Sequence, residues 1–371
     1  MTIRPVRTGS DLRRFIDLPY RLHRGDPMWV PPLRRDVKAL LSRTRNPFFD
    51  HGEAEYFLAL REGRVVGRIA AITNRLHNET HSDETGFFGF FEAEQDPAIA
   101  RALTEAAGNW VRERGMTVLR GPASFSVNDE CGLLVNGFDT PPTIMMAHNP
   151  PWYESLLLAA GFSPVKNLLV FQGDHRSGVP ERLTRAIDLI KRRQGITVRP
   201  LDMKRFSQEV ETIKDLYNRA WERNWGFVPM TDREIDHAAS QFRSIVVPEL
   251  APIVEVEGRP IAFGLALPDV NVPLRSNRSG YLLPALPKLL WSLRRGGNSR
   301  IRILLLGITP EYRGKGIDAV LYYHLWKDST DVGFFWGEAG WILEDNPAIR
   351  AGMEKIGFSV YKTYRLYDRP T

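Results

Sequence analysis

This chain repeats itself, and that limits its folds more than anything else in it. Thr2-Ile3-Arg4-Pro5-Val6 returns as Thr197-Val198-Arg199-Pro200-Leu201. Gly63-Arg64, between two strand-like runs, returns as Gly258-Arg259, and Gly161-Phe162 returns as Gly357-Phe358. The offset is 195 or 196 residues at all three places. No solenoid period is that long, so the pattern reads as a duplicated domain. Signals in the first copy run strand, helix, three strands, helix, strand, helix, strand. Ser10 caps the first helix, Glu62-Gly63 turns a hairpin, and Asp96-Pro97 opens the second helix. Residues 121–150 form a long loop. The expected class is α/β of the α+β type. Two tandem domains, 1–175 and 195–371, each hold a mixed, mostly antiparallel sheet flanked by helices.

Composition narrows the function. The 371 residues are 43% apolar and 25% charged, as in soluble globular proteins. Cys131 is the single cysteine, which excludes an internal disulfide and fits a reducing compartment. The N-terminus shows no apolar signal region. The net charge of +6 suits an anionic ligand or an anionic membrane surface. The expected location is therefore cytoplasmic, with peripheral contact at the membrane face as the variant the charge allows. There is no basic helix or zinc spacing to suggest nucleic acid. His77 and His81 lack a third ligand, so no metal is expected, and their segment reads as a solvated loop.

The densest chemistry lies in Arg300 to Leu325. Ile301 to Ile308 makes one buried strand, Thr309-Pro310 stops it, and Arg313-Gly314-Lys315-Gly316-Ile317 forms a glycine turn ahead of a helix. First-turn N–H groups lack helical partners and the dipole favours an anion there. Gly314 and Gly316 admit close approach of the backbone, and Arg313 and Lys315 add charge. The expected ligand is a phosphate or pyrophosphate on the N–H groups of Gly314 to Ala319. Neither the Walker A pattern nor the dinucleotide fingerprint is present.

Arg313, Gly316 and Asp318 resemble the acyl-CoA motif [RQ]-x-x-G-x-[GA] of the GCN5-related N-acetyltransferase (GNAT) superfamily. Asp318 departs from it, and either repels the pyrophosphate or turns away to serve the helix N-terminus. Asn346 to Phe358 resembles the superfamily's closing N-x-x-A-x-x-x-Y-E-K-x-G-F segment. There Met353 stands where many members keep a general-acid Tyr, and a thioether cannot protonate a thiolate. The resemblance implies an acyl-CoA site at Arg313 to Ala319 with Asn346, and an oxyanion held by the backbone near Gly307 and Ile308. It also implies an acceptor pocket near Trp225, Phe227 and Met230, which could equally be core. In the first copy Glu92-Ala93-Glu94-Gln95-Asp96-Pro97 replaces the basic turn, so coenzyme A is expected once, in the second copy.

Candidate bases are Glu338, on a strand beside the cleft, and Asp129 and Glu130 in the long loop. Simple alternation puts Glu338, Gly340, Ile342 and Glu344 on one face. Tyr281 to Arg295, Leu-rich with a basic end at Arg294 and Arg295, reads as a lipid-contacting segment or a buried connector. Phe87, Phe88, Phe90 and Phe91 are expected to help line an alkyl site. The whole layout resembles bacterial ceramide synthases, including Trp29-Val30-Pro31-Pro32 and Asn46-Pro47-Phe48-Phe49. That resemblance implies an acyl-CoA-dependent N-acyltransferase acting on the amine of a sphingoid base. An N-acyl amino acid synthase using an acyl carrier protein, another GNAT enzyme with a polar amine acceptor, and a non-catalytic acyl-CoA sensor are the alternatives.

Overall fold

The computed structural model describes residues 1–126, 128–221, 225–292 and 298–371. Its strands are Thr2–Pro5 (β1), Gly52–Arg61 (β2), Arg64–Asn74 (β3), Thr85–Ala93 (β4), Val118–Gly121 (β5), Leu133–Asn136 (β6) and Ser163–Asp174 (β7) in the first half. The second half holds Ile196–Arg199 (β8), Ile253–Val256 (β9), Arg259–Pro268 (β10), Arg300–Ile308 (β11), Trp336–Leu343 (β12) and Ser359–Pro370 (β13). The helices are Gly9–Leu22 (α1), Arg34–Leu40 (α2), Arg75–His81 (α3), Pro97–Arg112 (α4), Tyr153–Ala159 (α5) and Glu181–Gln194 (α6). They continue as Phe206–Trp221 (α7), Asp232–Phe242 (α8), Asn271–Leu274 (α9), Leu282–Ser292 (α10), Ile317–Asp331 (α11) and Pro347–Lys355 (α12).

The repeated sequence landmarks are repeated backbone features. Glu62-Gly63 turns β2 into β3 with φ of 52° and 76°, and Glu257-Gly258 turns β9 into β10 with φ of 50° and 72°. Two successive positive φ values make the hairpin turn whose twist matches the strands. Gly161 and Gly357, at φ 88° and 87°, end α5 and α12 before the last strand of each half.

All thirteen described strands share one sheet, ordered β1-β2-β3-β4-β5-β13-β7-β12-β11-β10-β9-β8, with β6 also on β13. The order shows an exchange at the centre. β7, from the first half, pairs with β12 of the second. β13, from the second half, pairs with β5 and β6 of the first. β7 and β13 pair antiparallel along their length. Tyr364, Leu366 and Tyr367 of β13 are buried in the first half's cores.

Helices α4 and α5 cover one face of the first half, with Ile99, Leu103, Leu156 and Leu157 buried on Val66 and Phe88. Phe15 and Ile16 of α1 cover the other face. In the second half Tyr322 and Leu325 of α11 and Met353 of α12 pack on Ile301, Ile303 and Ala339. Leu216 and Tyr217 of α7 pack on Phe263 from the opposite side.

The sequence pattern missed α2, α3 and β6. The His77–His81 segment is helix α3, started by Asn74, whose side chain accepts from the His77 N–H at 3.1 Å. His77 is buried edge-on against Phe87, with ring centroids 4.8 Å apart, so the expected solvated loop is corrected. No described helix is long and apolar enough to cross a membrane. Among the described residues no cluster of His, Cys, Asp or Glu could hold a metal ion.

Candidate active site

Parallel strands β11 and β12 pair only from Arg300↔Trp336 to Ile303↔Ala339. Beyond that rung β11 continues along β10 while β12 follows β7, so the two strands fork. Arg302 and Glu338 are register partners near the base of the fork. Glu338 has no solvent exposure. The hydroxyls of Thr143 and Tyr361 donate to its two oxygens, and Arg302 Nε stands 3.6 Å away. Arg302 also donates to the carbonyls of Ile144 at 2.6 Å and Gly340 at 2.9 Å. Nearby, Lys362 is buried and donates to the carbonyls of Gly137 and Thr140 at 2.8 and 2.7 Å. Burial lowers its ammonium to about 8, with Glu338 opposing.

The expected alternation along β12 fails. The pairing with β7 shifts between Ala339 and Ile342, so Ala339 and Ile342 enter one core on the α11 and α12 side. Trp341 and Leu343 pack instead with Phe125 and Tyr361. Such a bulge moves every later side chain to the other face. Glu344 accepts from the Asn167 backbone at 2.9 Å and side-chain amide at 2.8 Å.

At the tip of β11, Gly307 is buried and Ile308 half-buried. Gly314 and Gly316 take φ of 71° and 80°. Gly316 is the N-cap of α11, and no side chain caps that helix, so its first N–H groups remain open to an anion. Arg313 donates to the Ala220 carbonyl at 2.6 Å, and Lys315 lies 4.8 Å over the Tyr312 ring. Both are exposed, as is Asp318 in the helix's first turn, while Ile317 is buried and Ala319 half-buried. These residues suit a pyrophosphate: glycine where a side chain would intrude, uncapped donors and two cations. Asn346 instead caps α12 through its side-chain oxygen.

The first half's long loop reaches across to this half. The Tyr217 hydroxyl donates to the Asn128 side chain at 2.9 Å, and Phe125 and Cys131 share a cluster with Trp341 and Leu343. Asp129 receives a hydrogen bond from the Ser126 hydroxyl at 3.2 Å. Burial, with Glu234 and Glu130 acting in the same direction, pushes its carboxyl up to about 7. Glu130 opens onto solvent, yet burial raises its carboxyl too, with Arg68 and Arg302 opposing and Glu92 reinforcing.

The aromatic candidates separate. Phe227 is buried with Tyr217 and Phe263, and Met230 packs on the same cluster. Trp225 joins the Phe125 and Trp341 cluster, with Arg120 and Lys166 over its ring at 5.1 and 5.2 Å. Residues 222–224 lie outside the described residues. Phe87, Phe88 and Phe91 are core, while Phe90 is half-buried. Met353 is fully buried between helix and sheet.

Sequence reasoning missed Thr143, Arg302, Tyr361 and Lys362. Only Arg302 left a signal, as a cation inside an otherwise apolar strand. It also missed a second buried cluster. Glu92 is bonded by His23 at 2.9 Å and Tyr153 at 2.7 Å, with Arg68 at 3.7 Å.

No family model matches the chain. It is 37% identical to the "Bacterial ceramide synthase" of Caulobacter vibrioides, covering all of this chain and 97% of the relative. It is 34% identical to "Protein YghO" of Escherichia coli, over 99% of this chain and 95% of that one. Among solved structures, the fold matches a tandem GNAT protein from the clavulanic acid biosynthesis pathway at a TM-score of 0.59 and 13% identity, over 100% and 98% of the two chains. It also matches a GCN5-related N-acetyltransferase from Anabaena variabilis at 0.52 and 9% identity, over 99% and 72%. The protein belongs to the family that contains the bacterial ceramide synthase and YghO, and is a tandem GNAT-fold N-acyltransferase.

Proposed function

We propose that the protein transfers a long acyl group from coenzyme A to the amine of a lipid-like acceptor, a sphingoid base fitting best. The carrying observation is the uncapped, glycine-opened start of α11 at the end of a forked strand pair. It is joined by a first-half loop whose Phe125 and Cys131 share a cluster with Trp341 and Leu343 of β12. The full-length likeness to a ceramide synthase supports the acceptor class.

In this reading the pyrophosphate lies on the N–H groups of Gly314 to Ala319, with Arg313 and Lys315 beside it. The thioester carbonyl points to the backbone near Gly307 and Ile308, whose N–H groups hold the oxyanion as it forms. An alkyl ammonium has a pKa of roughly 10, so the amine must lose a proton before attack. Glu338 and Asp129 differ as acceptors of that proton. Both Glu338 oxygens already receive hydrogen bonds inside the core. Asp129 has a carboxyl raised to about 7, close to the working pH, where a general base is most effective. We assign the base role to Asp129, directly or through water, and a structural role at the fork to Glu338. The amine nitrogen then bonds to the carbonyl carbon, loses its second proton to solvent water, the C–S bond breaks, and the amide forms as coenzyme A leaves as thiolate. Met353 is buried and offers no proton.

A long chain gains about 0.8 kcal/mol per buried CH₂, so lipid substrates should be preferred. The test is competition between sphinganine with a long-chain acyl-CoA and a small polar amine with acetyl-CoA. The lipid pair is expected to show the higher kcat/KM. The reverse order would end the lipid reading and leave a plain acetyltransferase, and an acyl carrier protein donor preferred over acyl-CoA would move the donor assignment.

A further inference from the structure

In the first half, residues 75–84 join β3 to β4; in the second, the equivalent β10 and β11 are joined by the much longer 269–299. That insertion carries α9 and α10. Helix α10 has two apolar stripes. One, formed by Leu282, Ala285 and Leu289, packs on Val30, Leu33 and Leu274. The other is bare: Leu283 is 81% exposed, Leu290 54% and Trp291 62%, with Leu286 and the neighbouring Tyr281 and Val272 also exposed. The inner stripe already seats the helix, so the outer one is not needed to hold it. An apolar patch of this kind on a water-soluble surface marks a contact site.

The charges around the patch say what kind. From Val270 to Ser292 the chain carries Arg275, Arg278 and Lys288 and no acidic residue. Beneath the insertion lies a cavity of about 200 Å³ lined by Tyr20, His23, Arg24, Trp29, Arg34 and Arg278. Arg278 is anchored there by neutral groups, donating to the carbonyls of Trp29 and Asp26 at 2.6 Å each. Its charge is therefore left uncancelled. Arg24 is exposed and has no ion pair among the described residues. Arg34 does pair with Asp17, and His23 forms a buried wall turned toward Glu92.

We propose that the α9–α10 insertion docks the protein on an anionic phospholipid bilayer. The outer stripe of Leu283, Leu286, Leu290 and Trp291 enters the headgroup–acyl boundary, and the cavity at Arg24 and Arg278 takes a lipid phosphate. Apolar residues beside unneutralised cations are the chemistry of an interfacial helix. The expected basic end at Arg294 and Arg295 lies outside the described residues and carries none of this. The proposal goes beyond the acyl-transfer reading, because docking is measured without substrate.

The full-length protein would be sedimented with vesicles of phosphatidylcholine alone and with one quarter phosphatidylglycerol. Binding to the anionic vesicles should be at least about tenfold tighter. Leu283→Asp with Leu290→Asp should abolish it, and Arg24→Glu should weaken it severalfold. Brominated lipid should quench tryptophan emission in the native protein and much less in Trp291→Phe. Unchanged thermal unfolding and unchanged turnover of a short, soluble acceptor would show that the double variant is folded and its reaction intact. Equal binding to both vesicle types, no binding, or an undiminished double variant would overturn the proposal. So would a concentration-dependent dimer by light scattering that the double variant abolishes, since the face would then belong to a second copy of the chain.

Discussion

The helix following the fourth strand starts in two very different ways in the two halves. At α4, Asp96 caps the helix, its side chain accepting from the Ala98 N–H at 2.8 Å, and Pro97 brings no N–H at all. Arg61 then neutralises Asp96 at 2.5 Å. Just upstream, the Tyr153 hydroxyl accepts from the Ala93 N–H at 3.0 Å and donates to Glu92 at 2.7 Å. The N–H groups of Ala93, Ala98, Ile99 and Ala100 are thus occupied from within. At α11 the equivalent start has no cap, two glycines at positive φ and two exposed cations. One fold thus yields a self-satisfied helix start and an open one. The difference rests on a few side chains rather than on topology.

The largest effect is expected at Gly316. A β carbon there would lie 3.2 Å from Ile190 at a φ of +80°, which a β-branched residue resists. Gly316→Val should abolish coenzyme A binding by calorimetry, and the unaltered chain should bind one equivalent. Two equivalents would break the contrast between the halves.

Next comes Asp129, by which the first half would contribute chemistry without binding the donor. Asp129→Asn should lower kcat about 10²–10⁴-fold with little change in coenzyme A affinity. In the unaltered enzyme kcat should fall as pH drops through about 7, because the carboxylate base is then protonated. The sign for stability is opposite. Since folding raises this carboxyl from its ordinary value of 3.8 to about 7, stability should decline as pH rises across that window. Asp129→Asn should therefore melt higher than the native protein at pH 8, with the gain shrinking toward pH 4. Normal turnover in the variant would return the base role to Glu338 or Glu130.

Glu338→Gln should act mainly on stability. It leaves the buried Arg302 without its anion, a change that costs about 3–5 kcal/mol, read as a lower denaturation midpoint. A variant of native stability and low kcat would instead put Glu338 in the reaction.

The smallest expected change is at the plugged site. Tyr153→Phe leaves the Ala93 N–H without a partner and removes one of two hydrogen bonds to Glu92 Oε2, the other coming from His23, at a cost of about 1–3 kcal/mol. Binding stoichiometry for coenzyme A should stay at one, since Asp96 and Pro97 still close the helix start. A second equivalent would show that Tyr153 alone keeps the first half shut.

Much of the molecule could be read from local signals, because local signals are set by local physics. Positive φ at Gly63, Gly258, Gly161 and Gly357 demands glycine, so the duplication was visible where backbone geometry fixes residue type. The turn from Arg313 to Ala319 was legible for the same reason, as was the proline-bearing acidic start of α4. The exchange of β7 and β13 left no such mark. An inner strand has the same apolar pattern whichever neighbour it joins, and which neighbour it joins is settled only when the halves meet. The Thr143–Arg302–Glu338–Tyr361 cluster follows from that meeting, since its members come from a first-half loop, two forked strands and the exchanged strand. The bulge after Ala339, which sends Ile342 away from Glu338, and the bare stripe of α10 were likewise decided by tertiary structure. Residue spacing along a chain gives a periodicity, but which face meets a partner depends on contacts made by distant segments.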